Sequence, residues 1–308
     1  MTSTQAFNPS KLARSFTSSP ELFFGFALFA ILMVHGATIG LTDDEAYYWV
    51  LAQKPALGYA YHPPMVAWLI ALSQALVGPV FGATSAVVVR LPAAFCSSFV
   101  LTSALGWLRQ VGVGREKISG AAGVIVSLAG LFALSWMMVP DLPLFLGWML
   151  VFRATWNICF GSNESRKDVG LIFLGTALAL LSKYSAVLLS LSSLLAILIW
   201  APKERRVRAF AATVLGGVLA AIPILLWNMS HEWASILYQI RDRHEGGSFS
   251  LVRWLRFWAI ELFAGGPALV IFSFVLMYRS LKSSADRTEK FLSLFAAPVA
   301  LVFCLKPL

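Results

Sequence analysis

Charged side chains are scarce in this 308-residue chain, so the few that interrupt its apolar stretches are the first candidates for chemistry. Asp43, Asp44 and Glu45 form one acidic cluster, Asp141 stands in Val139-Pro140-Asp141-Leu142-Pro143, and Lys183 interrupts a long apolar run. A carboxylate can take the proton of a hydroxyl, and a cation can hold a phosphate as it leaves. Displacement of a phosphate by a hydroxyl needs both kinds of group. Taken singly, each acidic residue is also explained as a solvated marker at the end of a membrane span.

The elements that must position these residues follow from composition. The chain is 58% apolar and 13% charged, with a mean hydropathy of +0.76, whereas a soluble domain carries about 25% charged residues. Apolar runs of about 20 residues recur from end to end, each long enough to cross a hydrocarbon core of roughly 30 Å. In lipid such runs must be helices, because no water satisfies their backbone. The reading is an all-α polytopic membrane protein, which excludes a soluble fold. The net charge of +9 does not point to nucleic acid, because the basic residues lie in short clusters between apolar runs, where they meet anionic lipid headgroups. Cys96, Cys159 and Cys304 lack metal-ligand spacing and read as packing residues.

Residues 1–20 read as a cytoplasmic tail, and 21–308 as one transmembrane domain whose first span is an uncleaved anchor. With Lys11 and Arg14 inside, the first span delivers the acidic cluster outside. If the stretch from Pro63 to Phe81 does not cross, fifteen lysines and arginines, in clusters around positions 11–14, 109–117, 166–167, 203–208 and 279–290, fall inside. Seven fall outside: Lys54, Arg90, Lys183, Arg241, Arg243, Arg253 and Arg256. The bias makes Pro63–Phe81 an interfacial or re-entrant helix begun by Pro63-Pro64, inside a first extracytoplasmic loop at about 42–86. The 32 or so residues from Asp168 to Trp200 would make one straight helix of roughly 48 Å. Two short spans turning near Lys183 fit better, giving about nine crossings.

Several short motifs occur in order along the chain. They are Asp44-Glu45-Ala46-Tyr47-Tyr48-Trp49, Gly58-Tyr59, His62-Pro63-Pro64-Met65-Val66-Ala67-Trp68 and Arg90-Leu91-Pro92, then Pro140-Asp141-Leu142-Pro143-Leu144 and Leu181-Ser182-Lys183-Tyr184-Ser185-Ala186. Trp227-Asn228, His231, Trp233, Ser235, Gln239 and Arg241 follow. Together, over residues 40–245, they resemble glycosyltransferase family 39, which includes protein mannosyltransferases and the aminoarabinose transferases of lipid A. The resemblance implies a GT-C-like bundle with juxtamembrane helices in the first outer loop, and an inverting displacement at the anomeric carbon of a polyprenyl-phosphate sugar. It implies a catalytic set of Asp44, Glu45 and Asp141, with Asp44 as base and Asp141 orienting the acceptor or supporting the base. The substrate-binding set is Lys183, near the donor phosphate, with His62, Tyr61, His231, Arg241 and Arg243. The acceptor would be lipid A, lipopolysaccharide core, another envelope glycan or a protein, and the setting a bacterial inner membrane with the site facing the periplasm.

The chain departs from the family pattern in two places. Some relatives carry a carboxylate just before the His-Pro-Pro element, able to bind a divalent metal with the first-loop Asp; here that position is Tyr61, which leaves a metal unassigned. The chain also stops in the apolar segment Phe291 to Leu308, where family members continue with further spans and often an extracytoplasmic domain, so it reads as a shortened member. A helix-capping or packing role competes at His62, interfacial anchoring at Trp227 and Trp233, and a solvated charge run at Arg241, Arg243 and His244. Glu261, within an apolar run, is a further functional candidate or a buried partner of a neighbouring span. His35 and Arg153 read as packing or snorkelling residues. Two other functions stay open: a lipid-linked sugar transporter, and an inactive paralogue serving as a partner subunit.

Overall fold

The computed structural model describes residues 19–162, 166–241, 250–282 and 284–305, and among them every regular element is a helix. The helices are α1 (Pro20–Thr38), α2 (Asp43–Ala52), α3 (Met65–Phe81), α4 (Ala86–Gln110), α5 (Arg115–Ser127), α6 (Ala129–Trp136) and α7 (Asp141–Phe160). There follow α8 (Arg166–Ser182), a 3-10 turn (Tyr184–Ala186), α9 (Val187–Trp200), α10 (Lys203–Met229), α11 (Ala234–Ile240), α12 (Leu251–Gly265), α13 (Pro267–Ser280) and α14 (Arg287–Leu305). The chain is thus an all-α polytopic membrane protein with a GT-C-like bundle. Arg243, expected to bind substrate, and His244 lie outside the described residues, as do the side chains of Glu261 and Cys304.

Four helices, α1, α4, α7 and α10, are long and apolar enough to cross a membrane, and six spans result if the bent pairs α5–α6 and α12–α13 each count once. Reaching the expected nine requires α8, the 17-residue stretch Tyr184–Trp200 and α14, which fall short of that test. Large apolar side chains such as Phe23, Phe26, Val34, Val207 and Leu215 face outward, as lipid-facing positions must.

The helix pairing divides the bundle into two ends. Helices α1 and α4 are antiparallel: Glu21 pairs with Arg109 at one end, and the carbonyls of Gly36, Ile39 and Gly40 meet Arg90 at the other. The chain therefore leaves through α1, returns through α4, and keeps α2 and α3 at one end. Pro64 caps α3, whose Ser73 and Gln74 bond back to the carbonyls of Val88 and Ala83, so α3 lies along the first half of α4. A cluster of Tyr48, Val66, Ile70, Val89, Ala93 and Met138 fixes both helices beneath the loop.

Helices α7 and α8 form the second antiparallel pair. Asn157 bonds Asp168 at one end, and Asp141 meets Lys183 at the other. A Cβ on Gly147 would lie 2.6 Å from the Gly175 carbonyl oxygen, so glycine is what allows this backbone contact. Helix α9 joins through a buried Thr155–Ser193 bond of 2.9 Å. Phe291 of α14 is fully buried among Phe152, Trp156, Phe160 and Phe295. Arg205 donates to the carbonyls of Gly161 and Ser162 beside Asn157, so the basic clusters gather at the end opposite Asp141 and Lys183.

Candidate active site

A cavity of about 340 Å³ opens at the end away from the basic clusters. Asp44, Tyr48, His62, Asp141, Lys183 and Tyr238 line it, over an apolar floor that includes Leu134, Met137 and Val139. The sequence-predicted Asp44, Asp141, Lys183 and His62 come from four separate segments and meet here.

Each is placed by a local device. Thr42-Asp43-Asp44-Glu45 opens α2 with a capping box: the Glu45 amide donates to Thr42 Oγ1, and the Glu45 carboxylate accepts from the Thr42 amide. Asp44 thus lies in a first helical turn, where unpaired amides favour negative charge. It is exposed toward the cavity, and among the described residues its carboxylate has no ion pair. Asp141 is the first residue of α7, directly after Pro140 and without a side-chain cap. Lys183 is extended backbone (φ −154°) between α8 and the 3-10 turn, which is the break expected between two short spans. Its Nζ donates to Asp141 Oδ1 at 2.8 Å, with both side chains 28% exposed. Burial, then the neighbouring Tyr47, Asp44 and Asp141, pushes the Tyr48 phenol above its ordinary value, so it stays a neutral donor beside two carboxylates.

The roof comes from the end of α10. Asn228 is buried, its carbonyl accepts from the Trp233 amide and its side chain from the Ile236 amide, while Glu232 and Trp233 take left-handed φ of 53° and 60° to turn the chain into α11. The Tyr184 and Ser235 hydroxyls bond at 2.7 Å, and Gln239 Nε2 donates to the Tyr61 carbonyl at 2.8 Å. Tyr238 is thereby held over the cavity, its ring 4.7 Å from that of Tyr61.

The other predicted residues lie elsewhere. Glu45, expected in the catalytic set, is fully buried outside the cavity lining. Burial alone would raise its carboxyl, but bonds from Arg90 and from the Thr42 and Met138 amides hold it below its ordinary value. Tyr61, expected to bind substrate, is exposed and braces α11 instead of lining the cavity. His231 is also outside the lining: it stacks on Trp227 at 4.1 Å, with Nδ1 against the Trp227 carbonyl. Arg241 is the exposed C-cap residue of α11 and is not among the residues lining the cavity.

Sequence reasoning missed three features. Tyr238 carried no motif. Arg90 was read as one position of a family motif, not as the buried partner of Glu45. The Thr42-x-x-Glu45 spacing is itself a capping-box signal, and it ties the Glu45 side chain to its own helix start. As for a metal, no three His, Cys, Asp or Glu side chains among the described residues converge to form a ligand cluster of their own.

A family model described as dolichyl-phosphate-mannose-protein mannosyltransferase matches residues 61–227, more than half of the chain. The chain belongs to this mannosyltransferase family. Within the matched stretch lie His62, Arg90, Asp141, Lys183 and Trp227; Asp44 precedes it. A second likeness reaches further: the chain is 27% identical over 297 residues to the lipid A galacturonosyltransferase RgtD of Rhizobium johnstonii, covering 92% of this chain. It spans 58% of that protein's length. No solved structure matches.

Proposed function

We propose that the chain is a membrane glycosyltransferase that moves a sugar from a polyprenyl-phosphate donor to an acceptor hydroxyl. Asp44 removes the hydroxyl proton, and the oxygen attacks the anomeric carbon from the face opposite the phosphate. The bond from that carbon to the phosphate oxygen breaks, its electron pair leaving with the lipid phosphate, whose charge Lys183 offsets. Configuration at the anomeric carbon inverts. Asp141 holds Lys183 in place and orients the acceptor, with the neutral Tyr48 hydroxyl as a further donor. The observation that carries this reading is the meeting of Asp44, Asp141 and Lys183 at one cavity.

The likeness to a lipid A galacturonosyltransferase supports lipid A or lipopolysaccharide core as acceptor and a bacterial inner membrane as the setting. The separation of the cavity from the basic clusters supports a periplasmic site. The test is the mass profile of lipid A and core from cells with the wild-type chain, with Asp44→Asn, or with no copy of the gene. A sugar-sized mass present with wild type and reduced by about 100-fold or more in the variant is the expected result. Equal sugar addition by wild type and Asp44→Asn would remove Asp44 as base and favour an inactive partner role.

A further inference from the structure

A fully bonded, buried charged group lies outside the cavity lining. Arg90 is 2% exposed, and all five of its N–H donors are used. Nε and one Nη2 hydrogen go to the two Glu45 oxygens at 2.8 and 2.6 Å. The others go to the carbonyls of Gly36 at 2.9 Å, Ile39 at 2.7 Å and Gly40 at 2.7 Å. These carbonyls lie at or just past the C-terminal end of α1, where they lack helical partners. The guanidinium also lies 4.6 Å from the Trp136 ring at the end of α6.

Glu45 is equally engaged. Oε1 accepts from Arg90 and from the Met138 amide at 3.2 Å, and Oε2 from Arg90 and from the Thr42 amide and hydroxyl. One buried pair therefore joins the end of α1, the first turn of α2, the body of α4 and the extended link from α6 to α7. Asp44 is one residue from Glu45, and Asp141 three residues from Met138. The two carboxylates of the cavity hang from the two arms of the same clamp.

We propose that Arg90 and Glu45 are positioning residues: their buried pair fixes the first turn of α2 against Met138 and so sets Asp44 opposite Asp141. A buried pair also contributes to stability, but replacing such a pair by apolar residues of similar volume is often neutral or stabilising. That difference separates the two roles. Two methionines would fill the space, yet leave the Met138 amide and the Gly36, Ile39 and Gly40 carbonyls without the bonds that hold the segments together.

The experiment compares wild type with the double variant Glu45→Met/Arg90→Met, both as the full chain purified in detergent. Hydrogen exchange is expected to rise about tenfold or more at residues 43–46 and 137–141, with the other helices unchanged. Binding of undecaprenyl phosphate should stay within about threefold, while sugar addition to lipid A per molecule falls about 100-fold. Unchanged exchange in both segments, a rise spread evenly over the chain, or transfer within about threefold of wild type would overturn the proposal. The activity arm rests on the function proposed above, whereas the exchange arm does not. If exchange rises locally but the wild type adds no sugar, the clamp stands and the glycosyltransferase reading fails.

Discussion

The two ends of the bundle hold their charges in opposite ways. At the basic end, Arg109–Glu21 and Arg279–Glu289 are ion pairs whose arginines are 42% and 59% exposed. At the cavity end, Arg90 and Glu45 are 2% and 0% exposed, and Lys183–Asp141 is half-buried. Exposed pairs gain little over hydration, whereas a buried charge must find every partner inside the protein. The exposed pairs of the basic end therefore need little beyond the right charge on the right side of the membrane, and the buried Asp168 there is met by the neutral Asn157 amide. The cavity end needs particular charges in a particular arrangement.

The contrast can be broken by substitution, most strongly at the buried pair. Arg90→Met alone leaves Glu45 buried without its cation and is expected to destabilise the purified chain by about 3–5 kcal/mol, with the Glu45→Met/Arg90→Met double variant recovering most of that loss in the same thermal unfolding assay. A single variant no less stable than the double would show that Glu45 relaxes to water. Next comes Gly147→Ala, which forces α7 away from α8 and strains the Asp141–Lys183 contact. A loss of about 1–3 kcal/mol with a larger fall in the sugar transfer proposed above is expected, since overpacking shifts backbone.

Acid sharpens the comparison further. The Glu45 carboxyl titrates below its ordinary value when folded, so its contribution is present above the unfolded value of about 4.3 and lost as pH falls through the lowered folded one. Thermal unfolding of wild type should therefore weaken more steeply below about pH 4 than that of the double variant. Parallel curves would show that the pair is not the acid-sensitive element. The smallest effect belongs to Glu21→Gln at the basic end, which should change stability by about 0–1 kcal/mol. A larger loss there would erase the distinction between the ends.

Much of this was legible in the sequence because lipid leaves the chain few choices. Unbroken apolar runs must be helices, basic clusters mark one side, and Pro63-Pro64 and the isolated Lys183 mark a helix start and a helix break; each of these rests on local chemistry. Asp44, Asp141, Lys183 and His62 could be nominated because polar residues are rare in such a chain. Asp44 and Glu45 looked alike for the same reason. They are neighbours of one type, and helical geometry turns one toward the cavity and the other toward Arg90, far along the chain.

The sequence by itself determined the helical membrane architecture, the opposition of basic loops and acidic turns, and the residue types available for chemistry, since these follow from hydropathy and backbone satisfaction. The tertiary structure alone decided which carboxylate is presented and which is consumed in packing, that Tyr61 braces a roof while Tyr238 lines the cavity, and that Arg90 joins three helices. Those outcomes depend on contacts between segments far apart in the chain; the Thr42-x-x-Glu45 capping box is the one local signal that bears on them.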